Sequence, residues 1–115
     1  MTEFLMEYFR LLEKNRKFFD NAMITARQVE RRAKKIFDDC QVFIVGSFAE
    51  GRHKLSSDLD ILIISQKIPE KFSFEWYCNI VKRLSDDNRV NIHLVNKRKF
   101  KEVKRFYWPR IEVVP

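Results

Sequence analysis

The chain has 115 residues and a mass of 14.0 kDa, and its 45% hydrophobic and 14% aromatic content with only two Gly and three Pro excludes a disordered or loop-dominated protein. Size scaling gives a folded surface of about 6,700 Å² against roughly 20,000 Å² extended, enough burial for one self-sufficient core over residues 1–115 and too little chain for a second. Twenty-three Lys and Arg against sixteen Asp and Glu leave +7, which favours polyanionic partners: nucleotides, nucleic acid or an acidic protein.

From Thr2 to about Asp38, Leu5, Phe9, Leu12, Phe19, Met23, Ala26, Val29, Ala33 and Ile36 recur mostly at three- and four-residue steps among charges, which predicts a helical lead segment over 1–38. The stripe lapses at Asn15 and Arg16 and Asp20 suits a cap, so one long bent helix and two consecutive helices both fit, with a hinge near Asp20 favoured. Gln41–Val45 and Leu59 to Ile64 are short apolar runs that predict buried strands. Ile68-Pro69 breaks the chain, and Ser73 caps an expected helix carrying Phe74, Tyr77, Cys78, Val81 and Leu84 on one face, ended by the Asp86-Asp87-Asn88 turn. Val90 to Val95 is a third strand in which Val90, Ile92 and Leu94 point one way and Asn91 and His93 the other. Lys97 to Tyr107 is a basic amphipathic helix stopped by Pro109, followed by Ile111 and Val113 as an edge strand or packed tail. The expected fold is α+β: a small mixed sheet of three or four strands, with the lead helix on one side and the helix from Ser73 on the other.

The chemistry concentrates between the first two strands, in residues 46–60. Asp58 and Asp60, two apart at a strand start, project from one face about 6.6 Å apart along the chain. Two negative charges at that distance repel by ~2.5 kcal/mol at an effective dielectric near 20, a cost unless a cation offsets it. Mg²⁺ suits such a pair, because it takes a few carboxylate oxygens and completes its octahedron with water and substrate phosphates. Upstream, Gly46-Ser47 directly after a strand permits the sharp turn and close backbone approach that a phosphate requires, and Phe48-Ala49 is expected to open a short helix facing the same anion. Arg52 and Lys54 either help hold a triphosphate or neutralise Asp58 and Asp60 without metal.

This pattern, GS, ten residues, then DxD between two apolar strands, resembles the signature of the minimal nucleotidyltransferases of the DNA polymerase β-like superfamily. It is carried by Gly46, Ser47, Ala49, Gly51, Ser57, Asp58 and Asp60, and the likeness extends over nearly the whole chain, through the Ile68-Pro69-Glu70 turn and the Asn91–Val95 strand to Trp108. It implies a polymerase β palm-like fold and transfer of a nucleoside monophosphate from an NTP, ATP first among them, to a hydroxyl. By the same resemblance, Gly46, Ser47, Arg52, Lys54 and Ser57 bind the nucleotide, Asp58 and Asp60 are catalytic and hold Mg²⁺ or Mn²⁺, and a third carboxylate falls where this chain has Asn91. An amide oxygen ligates metal but accepts no proton, so a degenerate domain that binds NTP, nucleic acid or a partner is the alternative. Many relatives carry Arg where this chain has Glu50, and Arg52 is read as taking over that charge. The resemblance further implies an antitoxin-type role beside a small helical HEPN partner.

Cys40 and Cys78 form no CxxC and read as reduced thiols. The longest uncharged stretch, Cys40 to Ala49, is about half of a membrane span, and Glu3 and Glu7 are unlike a signal peptide, so the expected location is the cytoplasm. The Phe-rich lead helix is also a candidate surface for a protein partner or a homo-oligomer, and the aromatic-basic tail over 97–115 for nucleic acid.

Overall fold

A computed structural model describes residues 2–53 and 57–114. Its first element, α1 (Glu3–Ile36), is one uninterrupted helix capped by the Thr2 hydroxyl, which accepts from the Leu5 N–H. The hinge expected near Asp20 does not occur. No Pro or Gly interrupts residues 3–36, and Asn, Arg and Asp in a helix interior cost only tenths of a kcal/mol each. Only the second half of α1 meets the rest of the chain: Ala22, Ala26, Val29 and Ala33 are buried, whereas residues 2–17 are all exposed. This projecting arm raises the exposed surface to 8092 Å², above the size-scaled expectation. It also gives a radius of gyration of 16.1 Å, against about 13 Å for a compact chain of this length.

The chain continues through β1 (Gln41–Val45), β2 (Leu59–Ser65), α2 (Phe74–Leu84), β3 (Val90–Asn96), α3 (Lys97–Val103), a 3₁₀ turn (Lys104–Tyr107) and β4 (Ile111–Glu112). The four strands form one mixed sheet in the order β3-β2-β1-β4, with β1 antiparallel to β2 and β4, and β2 parallel to β3 across the α2 crossover. Ser73 caps α2 as its sequence position predicts, accepting from the Trp76 N–H. The basic helix begins at Asn96, whose side chain accepts from the Arg98 and Lys99 N–H groups, and tightens into the 3₁₀ turn instead of remaining α-helical to Tyr107.

The sheet is apolar on both faces. Val42, Ile44, Leu59, Ile61, Ile63, Val90, Ile92 and Leu94 form the larger core with Ala26, Val29 and Ala33 of α1 and with Ile80 and Leu84 of α2. Both long helices therefore cover the same face, a correction to the expected opposite placement. Phe37 packs on Trp76, and the Arg32 guanidinium donates to the Leu84 carbonyl, joining the two helices directly. The other face carries Val45, Leu62 and Ile64, covered by Phe100 of α3 and Tyr107 of the 3₁₀ turn. The architecture is the α+β arrangement, a mixed sheet flanked by helices, that the sequence predicts.

Candidate active site

β1 ends at Val45, and the chain turns at Gly46, where φ is 70°. The Gly46 carbonyl accepts from the Glu50 N–H at 3.0 Å and the Ser47 carbonyl from the Arg52 N–H at 2.8 Å, while buried Phe48 anchors the turn in the core. Phe48 and Ala49 open only this single turn, not the expected short helix, because Gly51 at φ 72° reverses the chain.

Strand register then sets the chemistry in one row. Asp60 pairs with Val45 on one side and with Asn91 on the other. Alternation along β2 and β3 puts Asp60, Asn91 and His93 on the α3 face of the sheet. A Cβ on Gly46 would collide with Asp60 Oδ2, so the glycine is what lets the turn close over this carboxylate. Asp58, just before β2, is exposed, and its Oδ2 accepts from Asn91 Nδ2 at 3.4 Å. His93 Nε2 stands 3.5 Å from Asp60 Oδ1, and the Tyr107 hydroxyl is 3.4 Å from His93 Nδ1. Burial pushes the Tyr107 phenol above its usual range, so it remains protonated at neutral pH.

The structure thus brings together Gly46, Asp58, Asp60 and Asn91, and adds His93 and Tyr107 behind them. It does not bring Arg52 to the carboxylates: the Gly51 turn closes Arg52 onto Glu50 at 2.6 Å, so the two charges cancel each other. Ser57 lines a separate cavity of about 110 Å³ with Phe18, Ala22, Phe48 and Leu59. Lys54 lies outside the described residues. His53 stacks on Phe48 with centroids 4.5 Å apart, and both its ring nitrogens are buried without a hydrogen-bond partner among the described residues. His93 was visible in the alternation of β3 as a polar neighbour of Asn91. Tyr107 carries no such signal, because its contact depends on the 3₁₀ turn.

Among the described residues no three His, Cys, Asp or Glu side chains converge as metal ligands. The donors present are two carboxylates and the Asn91 amide, whose oxygen faces Asp58 if its O and N are exchanged. That set, with the backbone opened by Gly46 beside it, fits Mg²⁺ of the kind that shares its coordination with substrate phosphates. It does not fit a closed all-protein metal cage.

The sequence model of a family described as "Poly(A) RNA polymerase, mitochondrial-like, central palm domain" matches residues 1–112. The chain belongs to this family. The assignment agrees with the polymerase β-like nucleotidyltransferase pattern of Gly46-Ser47 and Asp58-x-Asp60. Two crystal structures described as "putative nucleotidyltransferase" share the fold. One, from Sulfolobus solfataricus, superimposes with a TM-score of 0.66 at 22% identity over 82% of this chain and 80% of its own. The other gives 0.59 at 24% identity over 76% of this chain and 96% of its own. No curated protein matches the sequence. In this chain the sheet presents Asp60 beside Asp58 under the Gly46 turn. No helix among the described residues is long and apolar enough to cross a membrane.

Proposed function

We propose that the chain transfers a nucleoside monophosphate from an NTP, ATP in the first instance, to a hydroxyl of a macromolecular partner. The observation that carries this reading is the closure of the Gly46 turn onto Asp60, which sets the backbone turn directly against one carboxylate of the pair. Asp58 and Asp60 would hold a divalent ion, with the Asn91 amide beside them. When bound, such an ion neutralises charge on the phosphates and polarises the bond to be cleaved. Gly46 and Ser47 would orient the triphosphate through their backbone N–H groups. His93 would fix the Asp60 carboxylate, and Tyr107 would fix His93. The acceptor hydroxyl oxygen would bond to the α-phosphorus and release its proton to water, the bond from that phosphorus to the α–β bridging oxygen would break, and pyrophosphate would leave.

The family description makes an RNA 3′-hydroxyl the first acceptor to try, and a net charge of +7 suits a polyanion. A hydroxyl of a helical HEPN partner, in an antitoxin-type role in the cytoplasm, is the second acceptor and rests on the resemblance of the motif.

One observation favours slow transfer or binding alone. Asn91 stands opposite Asp60 in register, where a carboxylate would complete the site, and general-base assistance is worth ~10²- to 10⁴-fold in rate. The test is incorporation of labelled NMP into RNA and into protein acceptors by the wild type and Asn91→Asp. The reading expects weak or no transfer by the wild type, with a gain in both transfer and Mg²⁺ affinity in the variant. If Asn91→Asp changes neither, Asn91 is not at the third-carboxylate position.

A further inference from the structure

We propose that the projecting half of α1 is a dimerisation arm that pairs antiparallel with the same segment of a second copy of this chain. The arm exposes large apolar side chains over residues 4–12: Phe4 is 76% exposed, Leu11 55%, Tyr8 and Phe9 51% each, and Leu5, Met6 and Leu12 more than 40%. Phe4, Tyr8 and Leu11 follow one another at three- or four-residue steps, and after a seven-residue step across Asn15 the same side resumes at Phe18 and runs into Ala22, Ala26, Val29 and Ala33, which α1 buries on the sheet. The helix therefore carries apolar side chains on one side both before and after the polar residues 13–17, and the sheet covers only the second group.

The uncovered half is large enough to matter. With 150–250 Å² for each aromatic side chain, these partly exposed residues present on the order of 600 Å² per copy, at the upper limit of what monomers leave in one patch. Two such faces together approach the roughly 1,200–2,000 Å² of a stable interface. A free helical segment of about four turns is also marginal in water, so a partner on this face stabilises the arm itself.

Charge selects both the occupant and its direction. Residues 2–9 carry Glu3 and Glu7 with no basic residue, whereas residues 10–17 carry Arg10, Lys14, Arg16 and Lys17 against Glu13 alone. An antiparallel pair sets the acidic end of each copy over the basic end of the other, twice, as a two-fold contact requires. A parallel pair would stack like charge on like charge at both ends. The same acidic first turns would be repelled by an anionic lipid surface. The carboxylate site lies on the opposite face of the sheet from α1, so pairing of the arms leaves it open.

Sedimentation equilibrium of the full chain over micromolar concentrations tests the proposal. The expected result is a monomer–dimer equilibrium that weakens with salt. Leu11→Asp should abolish the dimer while leaving the thermal melt of a dilute, monomeric sample unchanged, since Leu11 is exposed on the arm. Glu3→Lys with Glu7→Lys should also give a monomer. Adding Arg10→Glu, Lys14→Glu and Lys17→Glu to that variant reverses the polarity of the whole arm and should restore the dimer. Mixed with the wild type, the fully reversed chain should form no heterodimer, because antiparallel pairing then opposes like charges. A wild type that remains monomeric, with the arm free or held by an unrelated protein, overturns the proposal. So does a dimer that survives Leu11→Asp, and a heterodimer of wild type with the reversed chain would establish parallel pairing instead.

Discussion

Gly46 and Gly51 share a left-handed backbone, φ 70° and 72°, but only Gly46 faces a side chain, the Asp60 carboxylate; at Gly51 an added Cβ meets open space. Gly51→Ala should therefore lose about 1–2 kcal/mol of stability from backbone strain alone. Gly46→Ala should lose more, and only it should also weaken Mg²⁺-dependent NTP binding, because Asp60 must move. Urea melts and NTP titrations of both variants check this, and equal binding losses would contradict it. Asp39 anchors the end of β2, where its carboxylate accepts from the buried Ser65 hydroxyl and from the Gln66 N–H at 2.9 Å. The Ser65 hydrogen bond first, and then that of Gln66, hold its carboxyl below the usual range. A lowered folded pKa contributes stability above the unfolded value of about 3.9, lost as pH falls through the folded one. Asp39→Asn should cost about 1 kcal/mol at pH 7, an exposed carboxylate counting for less than a buried one, and its melts should begin to converge with the wild type as pH falls below about 3.9. Asp58 and Asp60 were legible in the sequence because period-two alternation puts them on one face whatever the neighbouring strands do, whereas Asn91 joins them only through the parallel register of β3 beside β2. The diversion of Arg52 to Glu50 was not, because it depends on the reversal at Gly51.

Each half of α1 obeys a different rule. In the second half, Ala22, Ala26 and Ala33 are small because the helix lies against the strands, and Ala26 is fully buried. Ala26→Leu should overpack this contact and lower stability by about 1–3 kcal/mol in a denaturant melt, whereas Leu11→Asp on the arm should leave a dilute sample within about 0.5 kcal/mol of the wild type. A melt in which the two variants lost equal stability would contradict this division. Strand and helix positions were largely readable from periodicity and caps, Ser73 being the clearest. The face each helix covers was not. β2 is apolar on both sides, Leu59, Ile61 and Ile63 on one and Leu62 and Ile64 on the other, so an amphipathic α2 finds a suitable surface on either. What decides is the direct contact of α2 with α1 through Phe37, Trp76 and Arg32, which no local pattern encodes. The tail closes as the expected edge strand, β4 beside β1, with Val113 buried. Phe106 and Trp108 remain 71% exposed, while the Arg110 guanidinium sits 5.4–5.6 Å from the rings of Phe43, Phe100 and Trp108.

At the scale of the molecule, the two faces of the sheet divide the work. One face holds α1 and α2 and supplies most of the core; the other, with its lighter cover of Phe100 and Tyr107, leaves the ends of β2 and β3 accessible to a ligand. The carboxylates sit at those strand ends, Asp58 exposed and Asp60 partly so. Composition does not predict the 56 Å length of the molecule, which comes from the half of α1 that leaves the sheet. The most direct measurement is a calorimetric titration of ATP with Mg²⁺ and again with EDTA, for the wild type, Asp58→Asn and Asp60→Asn. The account predicts binding that requires Mg²⁺ and falls in either variant by at least the roughly 10- to 100-fold that losing a group behind a metal ligand costs. Both variants should remain folded, or melt higher, because a repulsion of ~2.5 kcal/mol is relieved. Equal ATP affinity in Mg²⁺ and EDTA, or binding unchanged by both substitutions, would contradict it.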